Sequence, residues 1–376
     1  MVSFLGSKEG RGESSRLAMN LNYTASRGKF YNYPVEAYTA LQLVRRKLKK
    51  LVNNYNPIPQ SRPTRIYIEL TNRCNLNCPF CLVGQQGLQE SVAHDDLNRD
   101  SGGMDVELCK KIIHDSAEFG IKELYLHFQG EPLMYRRKDF LEIVRVSKEE
   151  KLKTGIFTNG LLMNPEFSRQ LVKAGMDVIL FSVDGATQEI YEKNRVGGQF
   201  KKVYKNMRDI VQIAHQENSQ IELAWQFIAL KNNEHQIETA RVMAKEIGIN
   251  FIVKSFAESV PELVTDDPQY HRKLEPKTCK DIYRSVYVYF DGTVVPCCYD
   301  LDGKEVLGNL KLNSLKEVWN SERYLTFRKQ TNRALISPET EPELCKGCLK
   351  YTNPENLGKS PTIRKAISYL SQPFMR

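Results

Sequence analysis

The sequence predicts an α/β fold of parallel βα units, followed by a smaller extension that carries cysteines. Three observations predict it. Strand-like runs at 65–71, 123–128, 153–158, 178–183, 220–228 and 250–254 alternate with helical runs near 104–119, 137–150, 164–174, 199–216 and 234–247. That rhythm stops after residue 255, where Pro261, Pro268 and Pro276 mark a linker. Beyond it, alternating runs at 287–290 and 293–297 flank Asp291-Gly292, a strong hairpin signal, and a helix is expected near 314–330.

At 376 residues the chain exceeds a typical single domain. The expected division is 1–64, a lead-in with one basic helix; 65–255, the βα units; and 256–376, the extension. Residues 1–30 are rich in Gly, Ser, Arg and Asn and have no sustained period. From Val35 to Tyr55, Leu41, Leu43, Val44, Leu48, Leu51 and Val52 fall among five Lys/Arg residues, an amphipathic basic helix that packs on its own domain or on an anionic surface. Pro57, Pro59 and Pro63 end it. Lys and Arg number 54 against 45 Asp and Glu, a net charge of +9. The excess suits an anionic substrate, an acidic partner or nucleic acid without choosing among them. There is no signal peptide and no run of 18 apolar residues, and the nine cysteines form no secreted disulfide pattern. A cytoplasmic, reducing location is expected.

The most informative stretch is Cys74-Asn-Leu-Asn-Cys78-Pro-Phe-Cys81, on the loop leaving the first strand. Three thiolates can converge on one metal centre but cannot close a four-iron cluster. One iron then needs an outside ligand, and an open coordination position signals chemistry rather than scaffolding. A zinc site favours paired Cys-x-x-Cys units with a fourth local ligand, and no Cys or His follows until His94.

Cys-x3-Cys-x2-Cys after a strand ending Glu-Leu-Thr-Asn resembles the signature of radical S-adenosylmethionine (SAM) enzymes. The resemblance implies a partial (β/α)6 TIM-like barrel, with chemistry at the C-terminal ends of its strands. It implies that Cys74, Cys78 and Cys81 hold a [4Fe-4S] cluster whose open iron binds SAM. Reductive cleavage of SAM then gives a 5′-deoxyadenosyl radical that takes hydrogen from substrate. Phe80 lies inside the motif and is expected beside the cofactor. Gln129-Gly130-Glu131-Pro132 after strand two matches the family's Gly-Gly-Glu motif for the SAM amino group, with Gln129 in place of the first Gly. Ser182 and Asp184, in Ser-Val-Asp-Gly after strand four, match a SAM-contacting segment in which the carboxylate takes ribose hydroxyls. Arg195 matches an arginine that pairs with the SAM carboxylate, and Gln226 is expected at the cleft end of strand five. Thr158-Asn159-Gly160 is either a strand-ending turn or part of the site. The polar insertion from Leu82 to Gly103 is long for a βα loop, as lids and cluster covers are.

In the extension, Cys279, Cys297, Cys345 and Cys348 are four ligands for structural zinc or for a fully ligated [4Fe-4S] cluster. Gly292 to Cys298, Leu307-Gly-Asn-Leu310 and Cys345-Lys-Gly-Cys348 resemble a SPASM/Twitch extension, closest to the Twitch type, which implies one auxiliary cluster and two [4Fe-4S] clusters in all. Cys109 reads as a small buried apolar residue in a helix. Cys298 adjoins Cys297 and should face away from it if the strand continues; it is a packed thiol or a catalytic hydrogen donor.

The leading expectation is therefore a radical SAM oxidoreductase or epimerase. Its substrate would be a small polar metabolite (a sugar, aminocyclitol or nucleotide sugar), anionic if the net charge serves binding. SAM is the co-substrate, an electron donor such as flavodoxin or ferredoxin is the partner, and no nucleic acid is expected. The alternative is a SPASM-type maturase acting on a ribosomally made peptide; the absence of strands in 1–64 argues against a leader-binding domain there. A third reading, a non-catalytic iron–sulfur or zinc-binding module, leaves the ordered cleft motifs unexplained.

Overall fold

A computed structural model describes residues 62–85, 99–256, 261–271, 279, 281–333, 342–345 and 348. All of them belong to one compact unit, Asn53–Arg376. The expected basic helix at 35–55 and the middle of the Leu82–Gly103 insertion lie outside the described residues.

Six parallel strands follow the expected order: β1 (Arg65–Ile68), β2 (Glu123–Tyr125), β3 (Lys153–Thr158), β4 (Val178–Ser182), β5 (Glu222–Ala229) and β6 (Asn250–Ser255). Between them run α1 (Val106–Glu118), α2 (Arg137–Glu149), α3 (Pro165–Ala174), a short α4 (Gln188–Asn194), α5 (Phe200–Gln216) and α6 (Ile237–Ile247). The helices begin and end where local chemistry dictates. Asp105 caps α1 by accepting from the Glu107 and Leu108 amides. Asn164 caps α3 ahead of Pro165, and Gly175, at φ +89°, closes it. The short α4 was not expected; the Thr187 cap starts it.

The extension continues the same sheet. The strand order is β6-β5-β4-β3-β2-β1-β7-β8-β9, where β7 is Ser285–Val288, β8 is Thr293–Val295 and β9 is Gly308–Asn309. β7 runs parallel to β1, in register from Arg65↔Ser285 to Ile68↔Val288, and then turns through Asp291-Gly292 into antiparallel β8. The hairpin is as expected, but its first strand is a seventh parallel strand on the free edge of β1. All four β7 residues are buried, as a strand covered on both faces requires. The expected helix at 314–330 is two, α7 (Leu315–Trp319) and α8 (Glu322–Arg333). The break falls at Asn320-Ser321, where the Ser321 hydroxyl accepts from the Tyr324 amide and restarts the helix.

Strand alternation divides the molecule into two environments. Ile66, Ile68, Ile156, Ile179 and Phe181 point outward into the helix layer and are wholly buried. Tyr67, Tyr125, Phe157 and Tyr287 point into the barrel. The register sets Tyr67 between Tyr125 and Tyr287, and the rings stack with centroids 5.0 and 4.8 Å apart. Cys109 is fully buried in α1, as its apolar reading expected.

Candidate active site

The three cysteines sit on one loop at the C-terminal end of β1, and neighbouring loops hold that loop in place. Cys81 N donates to Cys78 O at 3.1 Å and Asn77 N to Val196 O at 3.0 Å. Glu131 N donates to Arg73 O at 2.8 Å, and Asn159 Nδ2 donates to Asn75 Oδ1 at 2.9 Å. Thr71 and Asn72 latch the end of the insertion: Thr71 Oγ1 donates to Gly102 O, and Asn72 Nδ2 to Asp100 O. Burial pushes the Cys74 thiol up to about 12 and that of Cys78 up to about 11. The charge of a bound metal would offset that burial and let the thiolates form. Among the described residues no three His, Cys, Asp or Glu side chains approach closely enough to bind a single metal ion. A four-iron cluster, with one thiolate on each of three irons, is the group that this donor set fits.

Around this loop the expected cofactor residues are brought together, but several are engaged differently. Gly130, at φ +71°, does make a close backbone approach, to the cysteine loop itself: a Cβ there would lie 2.5 Å from Thr71 O and 2.7 Å from Arg73 O. The Glu131 carboxylate was expected on the SAM amino group. It is buried and accepts from Thr158 Oγ1 at 2.6 Å, the Asn159 amide at 2.8 Å and the Leu133 amide at 3.1 Å. Those bonds tie the turns after β2 and β3 together, so Thr158-Asn159-Gly160 is more than a strand-ending turn.

Asp184 is bonded to other parts of the fold as well. Its carboxylate is fully buried; Oδ2 accepts from Arg195 Nε at 2.7 Å and Nη2 at 2.6 Å, while Oδ1 accepts from the Ile228 amide at 2.7 Å. Both oxygens are bonded inside the fold, and the pair with Arg195 fixes the position of that guanidinium. Arg195 in turn places Nη1 3.8 Å from Cys78 Sγ and lies over the Phe80 ring at 5.4 Å. Phe80 packs edge-on against Phe256. Ser182 and Gln226 are register partners on β4 and β5, the last pair of that ladder.

Residues of β1, β3, β5 and β7 and of the segment after β2 line a cavity of about 360 Å³. Tyr67, Phe128, Phe157 and Tyr287 form its apolar walls, and His127, Gln226, Asp281 and Cys298 its polar ones. Of these, only Gln226 and Cys298 were singled out beforehand. His127 was legible as the next inward position after Tyr125 in strand-like Leu-Tyr-Leu-His-Phe; Asp281 had no signal. A larger hollow of about 600 Å³ beside α8, bounded by Glu305, Glu322 and Arg323, holds none of the candidate residues.

Cys297 and Cys298 occupy a turn after β8, not a strand, because Pro296 has no amide to continue the ladder. The two thiols still diverge. Cys297 lies near Cys279, and Cys279 near Cys348; burial pushes the thiols of both Cys297 and Cys279 up. Cys348 N donates to Cys345 O at 3.0 Å. Cys298 lines the cavity instead, as an additional packed thiol or a reactive one would.

The barrel mouth is also bound to the extension. Gln129, at the position of the family's first Gly, donates from Nε2 to Leu301 O at 3.1 Å. Arg99 pairs with buried Glu69, with Nη1 3.1 Å from Oε2, and its guanidinium covers the Tyr289 ring at 3.3 Å.

Comparison with known families agrees with this arrangement. The radical SAM superfamily pattern matches residues 68–217, which hold the cysteine loop and the Gly130, Asp184 and Arg195 segments. The chain carries a radical SAM domain. The SPASM iron-sulfur cluster-binding domain matches residues 279–349, which contain Cys279, Cys297, Cys345 and Cys348. SAM and iron–sulfur clusters are therefore its cofactors, and together they supply reductive SAM cleavage to a hydrogen-abstracting radical. The chain is 26% identical over 354 residues (80% of this chain, 94% of the relative) to the tungsten-containing aldehyde ferredoxin oxidoreductase cofactor-modifying protein of Pyrococcus furiosus. It is 25% identical over 324 residues (77% and 83%) to the PqqA peptide cyclase of Gluconobacter oxydans. In fold it is similar to Streptococcus suis SuiB bound to SAM, with TM-score 0.60, 18% identity, and coverage of 88% of this chain and 82% of that one. No helix among the described residues of this radical SAM enzyme is long and apolar enough to cross a membrane.

Proposed function

We propose that this radical SAM enzyme modifies a side chain of a ribosomally made peptide or protein, the alternative reading of the sequence, in preference to oxidising a small polar metabolite. The observation that carries it is the extent of likeness to the PqqA peptide cyclase, which runs through both the barrel and the cysteine-bearing extension. The relatives named as probable GTP 3′,8-cyclases match over only 197 residues, 52% of this chain. The cavity agrees with such a substrate. At about 360 Å³ it sits at the small end of ligand sites, room for one side chain of a longer substrate.

In this reading the chain's own groups divide the work. The cysteine loop holds the cluster, and Arg195, fixed by Asp184, brings a cation to Cys78 and the cofactor beside it. The aromatic walls line the space where the reacting group would sit. The extension's cysteines would hold the auxiliary cluster, which would supply an electron sink for the oxidation.

The test is anaerobic turnover of the reconstituted enzyme with SAM, dithionite and short peptides encoded beside its gene, read by mass spectrometry. The expected product is a peptide that has lost two hydrogens, formed together with 5′-deoxyadenosine. An unchanged peptide, with a polar metabolite oxidised instead, would return the reading to a small-molecule dehydrogenase.

A further inference from the structure

The cavity contains a group that the site as described leaves without a role. His127 forms part of the cavity wall, and its ring packs against Phe157 with centroids 5.3 Å apart. Its Nδ1 is buried and has no hydrogen-bond partner. With Nδ1 shut in, Nε2 is the polar ring atom left to meet a ligand. A buried N–H without an acceptor is rarer and costlier in proteins than a buried lone pair, so the proton belongs on Nε2. Burial, and then the charge of Arg195, lower the ring's pKa to about 4, so it stays neutral at physiological pH.

The charges around the cavity decide which acceptor fits. Among the described residues that line it, Asp281 is the one with a formal charge. A substrate carboxylate would face the Asp281 carboxylate across the cavity, which favours an uncharged group here over an anionic one. Gln226 and the Tyr67 and Tyr287 phenols are neutral hydrogen-bonding groups, and Cys298 completes the set.

We infer that His127 is a substrate-binding residue, fixed as the Nε2–H tautomer, that donates to an uncharged amide carbonyl of the group seated in the cavity. It is a donor and not the base of the reaction. The inference rests on the peptide reading for the source of that carbonyl, a backbone or side-chain amide of the substrate residue.

The experiment uses the cluster-loaded, SAM-bound enzyme and two probes of equal shape, propionamide and propionate, with binding followed by ligand-observed NMR. Propionamide should bind about tenfold or more tighter than propionate. His127→Gln, whose side-chain nitrogen reaches as far as Nε2, should keep propionamide binding within about twofold, while His127→Asn and His127→Phe lose about five- to tenfold. Iron content equal to wild type shows that each variant has folded. Equal or tighter binding of propionate overturns the inference, as does undiminished propionamide binding by His127→Phe. Retention by His127→Asn with loss in His127→Gln assigns the donor to Nδ1 and overturns it too. Failure of wild type to bind propionamide sinks the carbonyl slot, whereas amide binding without any peptide product sinks the peptide reading alone.

Discussion

The two cysteine sets of this enzyme are built on opposite principles. Cys74, Cys78 and Cys81 share one loop, and hydrogen bonds with the segments around Glu131, Asn159 and Val196 shape that loop. Cys279, Cys297, Cys345 and Cys348 come from segments far apart in sequence, and only the pairing of β7 with β1 and β8 with β7 brings Cys297 to its neighbours. Ligands on one short loop need little chain closure, whereas a set spread over several loops depends on each of them being ordered. The difference matches their chemistry. Three local ligands would leave a coordination position open for SAM, and four distributed ones would close the site.

The largest effect that separates the two regions is expected in iron and SAM chemistry. Cys78→Ala should abolish 5′-deoxyadenosine formation with dithionite and keep about half of the iron, because the distributed set does not depend on that loop. Cys297→Ala should lose the other half while SAM cleavage persists. Iron analysis and chromatography of the nucleoside check both, and normal SAM cleavage by Cys78→Ala would exchange the roles assigned to the two sets.

A smaller effect tests how the first site is held. Asp184→Ala strands the Arg195 guanidinium beside Cys78 without its buried partner, at a cost of about 3–5 kcal/mol. Thermal unfolding of the cluster-loaded protein should show a clear fall in Tm, and Arg195→Met together with Asp184→Ala should recover part of it. A single variant as stable as wild type would mean that the pair is not buried as described.

The smallest effect concerns the contact between the regions. Gln129→Ala removes the bond to Leu301 O, about 1 kcal/mol, and leaves both cysteine sets intact. A modest drop in Tm with unchanged iron content is the expected result. Loss of iron from one set would show instead that this contact supports a cluster.

The barrel strands and the helices between them were legible because each is a local pattern: alternation for strands, and capped, periodic runs for helices. The cysteine loop was legible for the same reason, its three ligands lying within eight residues. The partners of Asp184 and Glu131 were not. Their motifs place carboxylates at strand ends, but the bonds to Arg195, Ile228, Thr158 and Asn159 depend on which loops meet above the barrel. His127 and Asp281 share a cavity although 154 positions separate them (281 − 127), because β7 pairs with β1 and draws the extension to the barrel. By itself, then, the sequence determined the order of strands and helices, the position of the open cysteine set and the hairpin of the extension. Tertiary structure alone decided that β7 joins the barrel sheet, that Asp184 serves Arg195, and that Cys298 faces the cavity. The physical reason is range: hydrophobic period and capping act over a few residues, whereas strand pairing and buried hydrogen bonds are chosen among partners far away in the chain.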